Sequence, residues 1–181
     1  MRWQPHRPNG WRRSSHFSTP RMTSGQQEGS TVTKDFADFL ESLNREGVAY
    51  VVIGGMAVLA HVPYRTTRDL GVLIEPTIEN AQKARRAVAA WGAFDPEYRA
   101  EDFISGDILS FGGLLRVEIH SRVPGVEWSD VWRGSIESMF LGVATRFAGV
   151  DELIRMKRAT GSPEKDLPDV DRLIRIKRNS T

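Results

Sequence analysis

The sequence predicts an α+β fold, in which a small mixed β-sheet is packed with helices in a single domain. Apolar runs bounded by glycine or proline, such as residues 48–53, are typical of buried strands. Other segments, such as residues 36–43, repeat apolar side chains at the spacing of a helix. The two kinds of segment alternate without an internal repeat, and the 181-residue length suits one domain, which we place at residues 31–178.

The composition is that of an ordinary soluble globular protein. Hydrophobic residues make up 40% of the chain and charged residues 27%. There is no cysteine, which excludes disulfides and thiolate metal sites. No apolar run approaches the roughly 20 residues of a membrane span, so we expect a cytoplasmic protein with no membrane partner.

Residues 1–30 differ from the rest of the chain and are predicted to be a disordered basic leader. Residues 1–27 carry five arginines and no acid, and they show no apolar periodicity. Taking those five from the 25 basic residues leaves 20 against 23 acids, so the predicted domain is not basic overall. The leader is similar in composition to an organellar transit peptide, but we favour an upstream extension, with Met22 as an alternative start.

The first half of the domain is predicted to contain three helices and two strands. Thr33 and Thr77 are good N-cap residues, Gly47 can end the first helix, and Pro63 breaks the second. In order, the elements are a helix from Thr33 to Gly47, a strand at 48–53, a helix at 56–61, a strand at 69–75 and a helix at 77–91.

The second half is predicted to contain two hairpins and two further helices, after a loop at 93–107 with one helical turn. Gly112-Gly113 and Leu141-Gly142 are the hairpin turns. Pro168 fits the first turn of the last helix, where a proline removes no helical hydrogen bond. In order, the elements are strands at 108–111 and 114–119, a helical turn at 128–132, strands at 136–140 and 143–147, and helices at 151–160 and 167–177.

Acidic side chains on two of these strands form a candidate cation site. Because strand side chains alternate, Asp69 and Gly71 point to the same side of their strand, and Arg116, Glu118 and His120 point to the same side of theirs. If the two strands are neighbours, Glu118 can reach Asp69, and converging carboxylates suit Mg²⁺. For the two acids alone we favour the alternative, in which Asp69 caps a turn and Glu118 is a solvated acid.

Gly54-Gly55 is a second feature with two interpretations. A glycine pair after a strand can hold a phosphate, although such a pair is often only a tight turn. The chain contains neither the P-loop pattern nor the glycine pattern of dinucleotide-binding folds. Both of those nucleotide-binding classes are therefore unsupported.

Four segments in order carry a resemblance to a known family. They are Ile53–Ala57 with His61, Arg65–Gly71, Val117–Gly125 and Leu153–Asp169. Over about residues 34–175 the chain resembles the minimal nucleotidyltransferase superfamily, specifically AbiEii-like toxins and related small nucleotidyltransferase-domain proteins. The resemblance implies a nucleotidyltransferase (polymerase β-like) fold.

The resemblance also implies an activity and its partners. The protein would transfer a nucleoside monophosphate from an NTP to a hydroxyl on an RNA end or a protein, with Mg²⁺ as cofactor. A toxin role would imply a cognate antitoxin. Asp69 and Glu118 would be catalytic metal ligands. The catalytic Lys157 would stabilise the negative charge of the phosphate or pair with Asp166.

The nucleotide-binding residues implied by the resemblance each have a plainer interpretation. The arginines could be solvated loop residues, and the aspartate could cap the last helix. His61 and His120 are more simply core or surface histidines, and the Trp128/Trp132 pair is more simply core than a base-stacking platform. The implied nucleotide-binding residues are Gly54, Gly55, Arg65, Arg68 and Asp166.

Position 71 is the main departure from the family pattern. The family has Asp-x-Asp, whereas this chain has Asp69-Leu70-Gly71, and its third acid is Glu118 instead of aspartate. Losing a carboxylate that bridges two metals predicts a weakened enzyme. The alternative hypothesis is a catalytically inactive domain that binds a nucleotide or a partner protein.

Overall fold

A computed structural model describes residues 24–62, 67–93, 97–112, 116–160 and 163–179. The predictions made for residues 1–23 and for Arg65 lie outside this part of the chain. Among the described residues, no helix combines the length and the apolar character that crossing a membrane requires.

The fold is α+β, with helices packed on one mixed six-stranded sheet, as the sequence predicts. The strand order is β3-β4-β2-β1-β6-β5. In chain order the elements are α1 (Ser24–Arg45), β1 (Tyr50–Ile53), α2 (Gly54–His61), β2 (Asp69–Ile74), α3 (Ile78–Trp91), a 3₁₀ turn (Ala100–Ile104), β3 (Leu109–Gly112), β4 (Arg116–His120), α4 (Trp128–Gly134), β5 (Ile136–Phe140), β6 (Val143–Phe147), α5 (Val150–Ala159) and α6 (Pro163–Asn179).

Helix α1 ends where predicted but begins earlier. Gly47 has φ +67°, and the N–H groups of Gly47 and Val48 donate to the carbonyls of Asn44 and Leu43. This bonding pattern uses carbonyls that the last turn leaves free, and it favours glycine because φ is positive. The start predicted at Thr33 is wrong, because the helix begins at Ser24, inside the segment assigned to the leader.

Helix α3 matches its prediction at both ends. The Thr77 hydroxyl accepts the N–H of Asn80, and Gly92 follows the helix in the left-handed conformation. The buried Asn80 side chain hydrogen-bonds the backbone of Ala49 and the carbonyl of Glu75. These hydrogen bonds satisfy the buried polar side chain and link α3 to the backbone beside β1 and β2.

Helix α6 corrects the prediction for Pro168. The helix begins at Pro163, not at Leu167, so Pro168 lies inside it and not in its first turn. Proline has no N–H, so the bond to the carbonyl of Glu164 is missing. Two observations account for the earlier start: Pro163 suits the first helical position, and Asp166 is held from α5 by Lys157 and Thr160.

The sheet buries an apolar face against α1 and α3. Strands β1 and β2 are antiparallel, β2 and β4 are parallel, and β3 and β4 form the first predicted hairpin. Phe111 on this face contacts the rings of Tyr98 and Phe103. Helix α2 packs against β2, α5 and α6, which places the start of α2 at one end of the two central strands.

Candidate functional site

Asp69 and Glu118 lie on neighbouring strands and on the same face of the sheet. In the parallel pair of β2 and β4, Asp69 is opposite Arg116 and Gly71 is opposite Glu118. Register partners point to the same side, so Asp69 and Glu118 are diagonal neighbours, with Cα atoms about 8 Å apart at ordinary strand spacings. Both side chains are partly exposed. The strand adjacency that the candidate cation site requires is therefore present.

The diglycine segment lies at the same end of the sheet. Ile53, the last residue of β1, is opposite Gly71, and α2 begins at the next residue. Gly54 has φ +66°, a conformation that other residues adopt only with strain. The N-cap residue of α2 is Ile53, whose side chain makes no hydrogen bond to the N–H groups of the first turn. The first N–H groups of α2 therefore start beside the two acids, where a helix favours an anion.

Two neighbouring side chains fill the space around Gly71. A Cβ atom added at Gly71 would lie 3.3 Å from Cγ1 of Ile53 and 3.8 Å from Nε2 of His120. The first distance is tighter than ordinary packing, so Ile53 would have to shift by a few tenths of an ångström. The position at which the resemblance implies an acid is thus bordered by an apolar side chain and an imidazole.

An arginine and a histidine from its own strand flank Glu118. Nη1 of Arg116 lies 3.6 Å from one carboxylate oxygen, and Nε2 of His120 lies 3.6 Å from the other. The His120 ring lowers the pKa of Glu118 below its usual 4.5. Arg116 also lowers this pKa, whereas partial burial raises it. Glu118 is therefore an anion at neutral pH. Side-chain alternation along the strand predicts that both neighbours lie on this face, but it does not indicate that they act on Glu118.

Removing the His120 ring is expected to raise the pKa of Glu118. The folded-state pKa is depressed, so Glu118 stabilises the fold above its unfolded pKa, and this contribution is lost as the pH falls through the folded value. A ¹³C-NMR titration of the carboxyl carbon should therefore give a higher midpoint in His120→Leu than in the native chain.

Glu79 is the internal control for this titration. Its pKa is lowered by Lys83 on α3, so its midpoint should be the same in both proteins. His120→Gln keeps a hydrogen-bond donor and should give a Glu118 midpoint between the other two. An unchanged Glu118 midpoint in His120→Leu would show that the ring does not act on this carboxylate.

Lys157 is held in a buried ionic cluster between α5 and α6. Its Nζ lies 2.8 Å from carboxylate oxygens of both Asp166 and Asp169. The Thr160 hydroxyl donates to the second oxygen of Asp166 at 2.7 Å. The Lys157 side chain is only 9% exposed. Of the two predicted roles, pairing with Asp166 is the one observed, and Asp169 is an additional partner.

The remaining predicted residues lie in several places. The backbone carbonyl of Arg68 accepts the N–H of Arg116, so Arg68 is at the edge of the site, and its side chain is exposed. His61 is bound to the carbonyl of Ala148 at 2.8 Å, which ties the end of α2 to the residue after β6. This contact supports the structural interpretation of His61.

The tryptophan pair only partly fits its core interpretation. Trp128 packs against the core, whereas Trp132 is 38% exposed. The two rings lie 5.3 Å apart, and the guanidinium carbon of Arg146 sits 4.4 Å from the centre of the Trp132 ring. The helical spacing could not distinguish the two residues, because α4 buries only one side.

Within the described part of the chain, no three His, Cys, Asp or Glu side chains come close enough together to hold a metal ion by themselves. Asp69 and Glu118 could supply two ligands. Mg²⁺ is commonly held by one or two carboxylates together with substrate phosphates and water, so two acids can suffice once a nucleotide is bound.

A comparison with protein-family models and a comparison with curated proteins each find no match to this chain.

Proposed function

We propose that the chain is a nucleotidyltransferase-type protein of the polymerase β-like fold, weakened by Gly71. It would transfer a nucleoside monophosphate from an NTP to a hydroxyl acceptor in the presence of Mg²⁺. The observation that carries this proposal is the position of Asp69 and Glu118 on one face of adjacent strands, beside the first turn of α2.

Each group at this end of the sheet has a chemical role in the proposal. The N–H groups that begin at Gly54 and Gly55 would bind the triphosphate, and the exposed Arg68 would add positive charge at the edge. Asp69 and Glu118 would hold Mg²⁺, which neutralises phosphate charge when it is bound. Arg65 belongs to the same proposal, although it lies outside the described residues.

The reaction would be an in-line displacement at the α-phosphorus. The acceptor oxygen bonds to phosphorus while the bond between that phosphorus and the bridging oxygen of pyrophosphate breaks. Glu118, whose pKa is lowered, is an anion at neutral pH and would accept the proton of the acceptor hydroxyl. Its depressed pKa makes it a weak base, which further limits the rate.

Gly71 explains why the activity would be low. A bridging carboxylate is expected to stabilise the transition state by several kcal/mol, so its loss slows the reaction by roughly a thousandfold. Lys157 and Asp166 would act by fixing α5 and α6 near α2, because they are bound to each other. The acceptor (an RNA end or a protein), a cognate antitoxin and a cytoplasmic location belong to the same proposal.

Incorporation of labelled NTP tests the proposal. We expect slow, Mg²⁺-dependent labelling by the native chain and none by Asp69→Asn, because that variant loses a metal ligand. Gly71→Asp should label faster, provided that Ile53 shifts to admit the new side chain. Glu79→Gln removes an exposed acid on α3 and should label like the native chain.

A catalytically inactive nucleotide-binding or protein-interaction domain is the second candidate. It is favoured by the space around Gly71, which Ile53 and His120 border, and by the pairing of Lys157 with two acids. Mg²⁺-dependent NTP binding with labelling only in Gly71→Asp would support this candidate. Absence of both NTP binding and labelling in all variants would refute the enzyme and the nucleotide-binding domain, and would leave only the protein-interaction domain.

A further inference from the structure

Strand β5 is an open edge of the sheet, and most of its side chains are exposed. It pairs only with β6 among the described strands, and it is the last strand in the sheet order. Residues 136–139 are exposed and Phe140 is partly exposed. At the opposite edge, β3 buries Leu109 and Phe111. Of the two edge strands, β5 is therefore the one with no buried side chain, and its outer backbone pairs with no described strand.

Exposed apolar side chains are concentrated at this edge. Four of the seven large apolar side chains that are exposed in the described chain lie between residues 132 and 141. The strand contains no proline or lysine, which commonly protect edge strands from pairing. Its single charged residue, Glu137, is paired inward with Arg146. The exposed residues are Trp132, Ile136, Met139 and Leu141.

The tip of the hairpin adds an independent observation. Leu141 has φ +49° and is 61% exposed, in a two-residue turn with Gly142 at φ +85°. A turn of this shape favours asparagine or aspartate at the first position, because a leucine is strained there. A strained, exposed leucine lowers the stability of the isolated chain, so a contact outside the chain is the simplest physical reason for it.

We infer that β5 pairs antiparallel with β5 of a second copy of this chain, about a two-fold axis at Ser138. In that register Ile136 lies opposite Phe140 of the second copy, and Glu137 lies opposite its Met139. No like charges meet, and the apolar residues Ile136 and Phe140 of each copy cover each other. The same register continues outward to place Leu141 beside residue 135 of the second copy, close to Trp132.

The self-complementary pattern is what selects a second copy over another occupant. An isologous pairing closes at two copies and joins the two six-stranded sheets into one. Five paired residues with a few flanking side chains form a small interface, so the dimer should be weak and concentration-dependent. This inference does not depend on the proposed function.

Sedimentation velocity of the full chain over a series of micromolar concentrations tests the pairing. The native chain should move from a 20.4 kDa species toward twice that mass as its concentration rises. Ser138→Lys and Ser138→Glu each place like charges opposite one another at the axis, so each should weaken the dimer by about tenfold or more. Mixing the two variants should restore it.

Met139→Lys is the matched control, because it adds the same charge one residue away. In the proposed register it faces Glu137 of the second copy, so the dimer should persist. A native chain that stays monomeric throughout the series would overturn the inference, and β5 would then not pair with a second copy of the chain. Dimers that are unaffected by both Ser138 variants would also overturn it, because the interface would then lie elsewhere.

Discussion

Lys157→Met is expected to cause a large loss of stability. The methionine keeps most of the apolar volume but leaves the carboxylates of Asp166 and Asp169 without the shared ammonium, in side chains that are 11% and 3% exposed. Breaking one partner of a buried ion pair typically costs about 3–5 kcal/mol. For a domain of this size that corresponds to a fall in Tm of roughly 10 °C, which differential scanning calorimetry would measure.

Lys177→Met is the matched control on the same pair of helices. Lys177 contacts Asp151, but both side chains are 56% exposed, so its loss should cost less than about 1 kcal/mol. Adding Asp166→Asn and Asp169→Asn to Lys157→Met should recover part of the lost stability, because the buried negative charges that Lys157 neutralised are then removed. Equal Tm losses in Lys157→Met and Lys177→Met would show that the cluster does not hold α5 against α6.

Gly149→Ala is expected to be the second strongly destabilising change. Gly149 caps α5 with φ −69° and ψ 164°, angles that alanine adopts freely. Its added Cβ would lie 2.3 Å from the carbonyl oxygen of Gly134 and 2.6 Å from a carboxylate oxygen of Glu152. The nearest atom belongs to the backbone, so α4 and α5 must separate. Urea unfolding should show a loss of about 3 kcal/mol.

Gly134→Ala separates a backbone clash from a side-chain clash. The three atoms nearest to a Cβ at Gly134 all belong to the Glu152 carboxylate group, the nearest at 2.6 Å. In a Glu152→Ala background, Gly134→Ala should therefore become tolerated. Gly149→Ala should remain destabilising there, because the Gly134 carbonyl is still present. If Glu152→Ala rescued Gly149→Ala fully, the backbone contact would not be the cause of the instability.

The elements that were predictable from sequence are those whose ends are fixed by local chemistry. Thr77 and Gly92 bound α3, and Gly47 ends α1 in the left-handed conformation that the chain requires there. The hairpin of β5 and β6 has the predicted bounds, because a two-residue turn fixes the register of the strands beside it. In each case the information lies within a few residues of the boundary.

The errors arose where distant residues decide the outcome. The start of α6 at Pro163 depends on contacts from α5 to Asp166, so a pattern that placed Pro168 in the first turn could not locate it. Trp128 and Trp132 have the same residue type and helical spacing, yet only packing decides which one is buried. The surroundings of Gly71 on β2 are likewise formed by Ile53 and His120, which come from two other strands.

The sequence by itself determined the α+β class, most element boundaries and the face on which each strand acid lies. These follow from local backbone preferences and from the alternation of side chains along a strand. Only the tertiary structure decided that β2 and β4 are neighbours, that Lys157 is bound to two acids, and that β5 is left uncovered. Strand order and helix packing depend on the burial of the whole chain, which no local segment specifies.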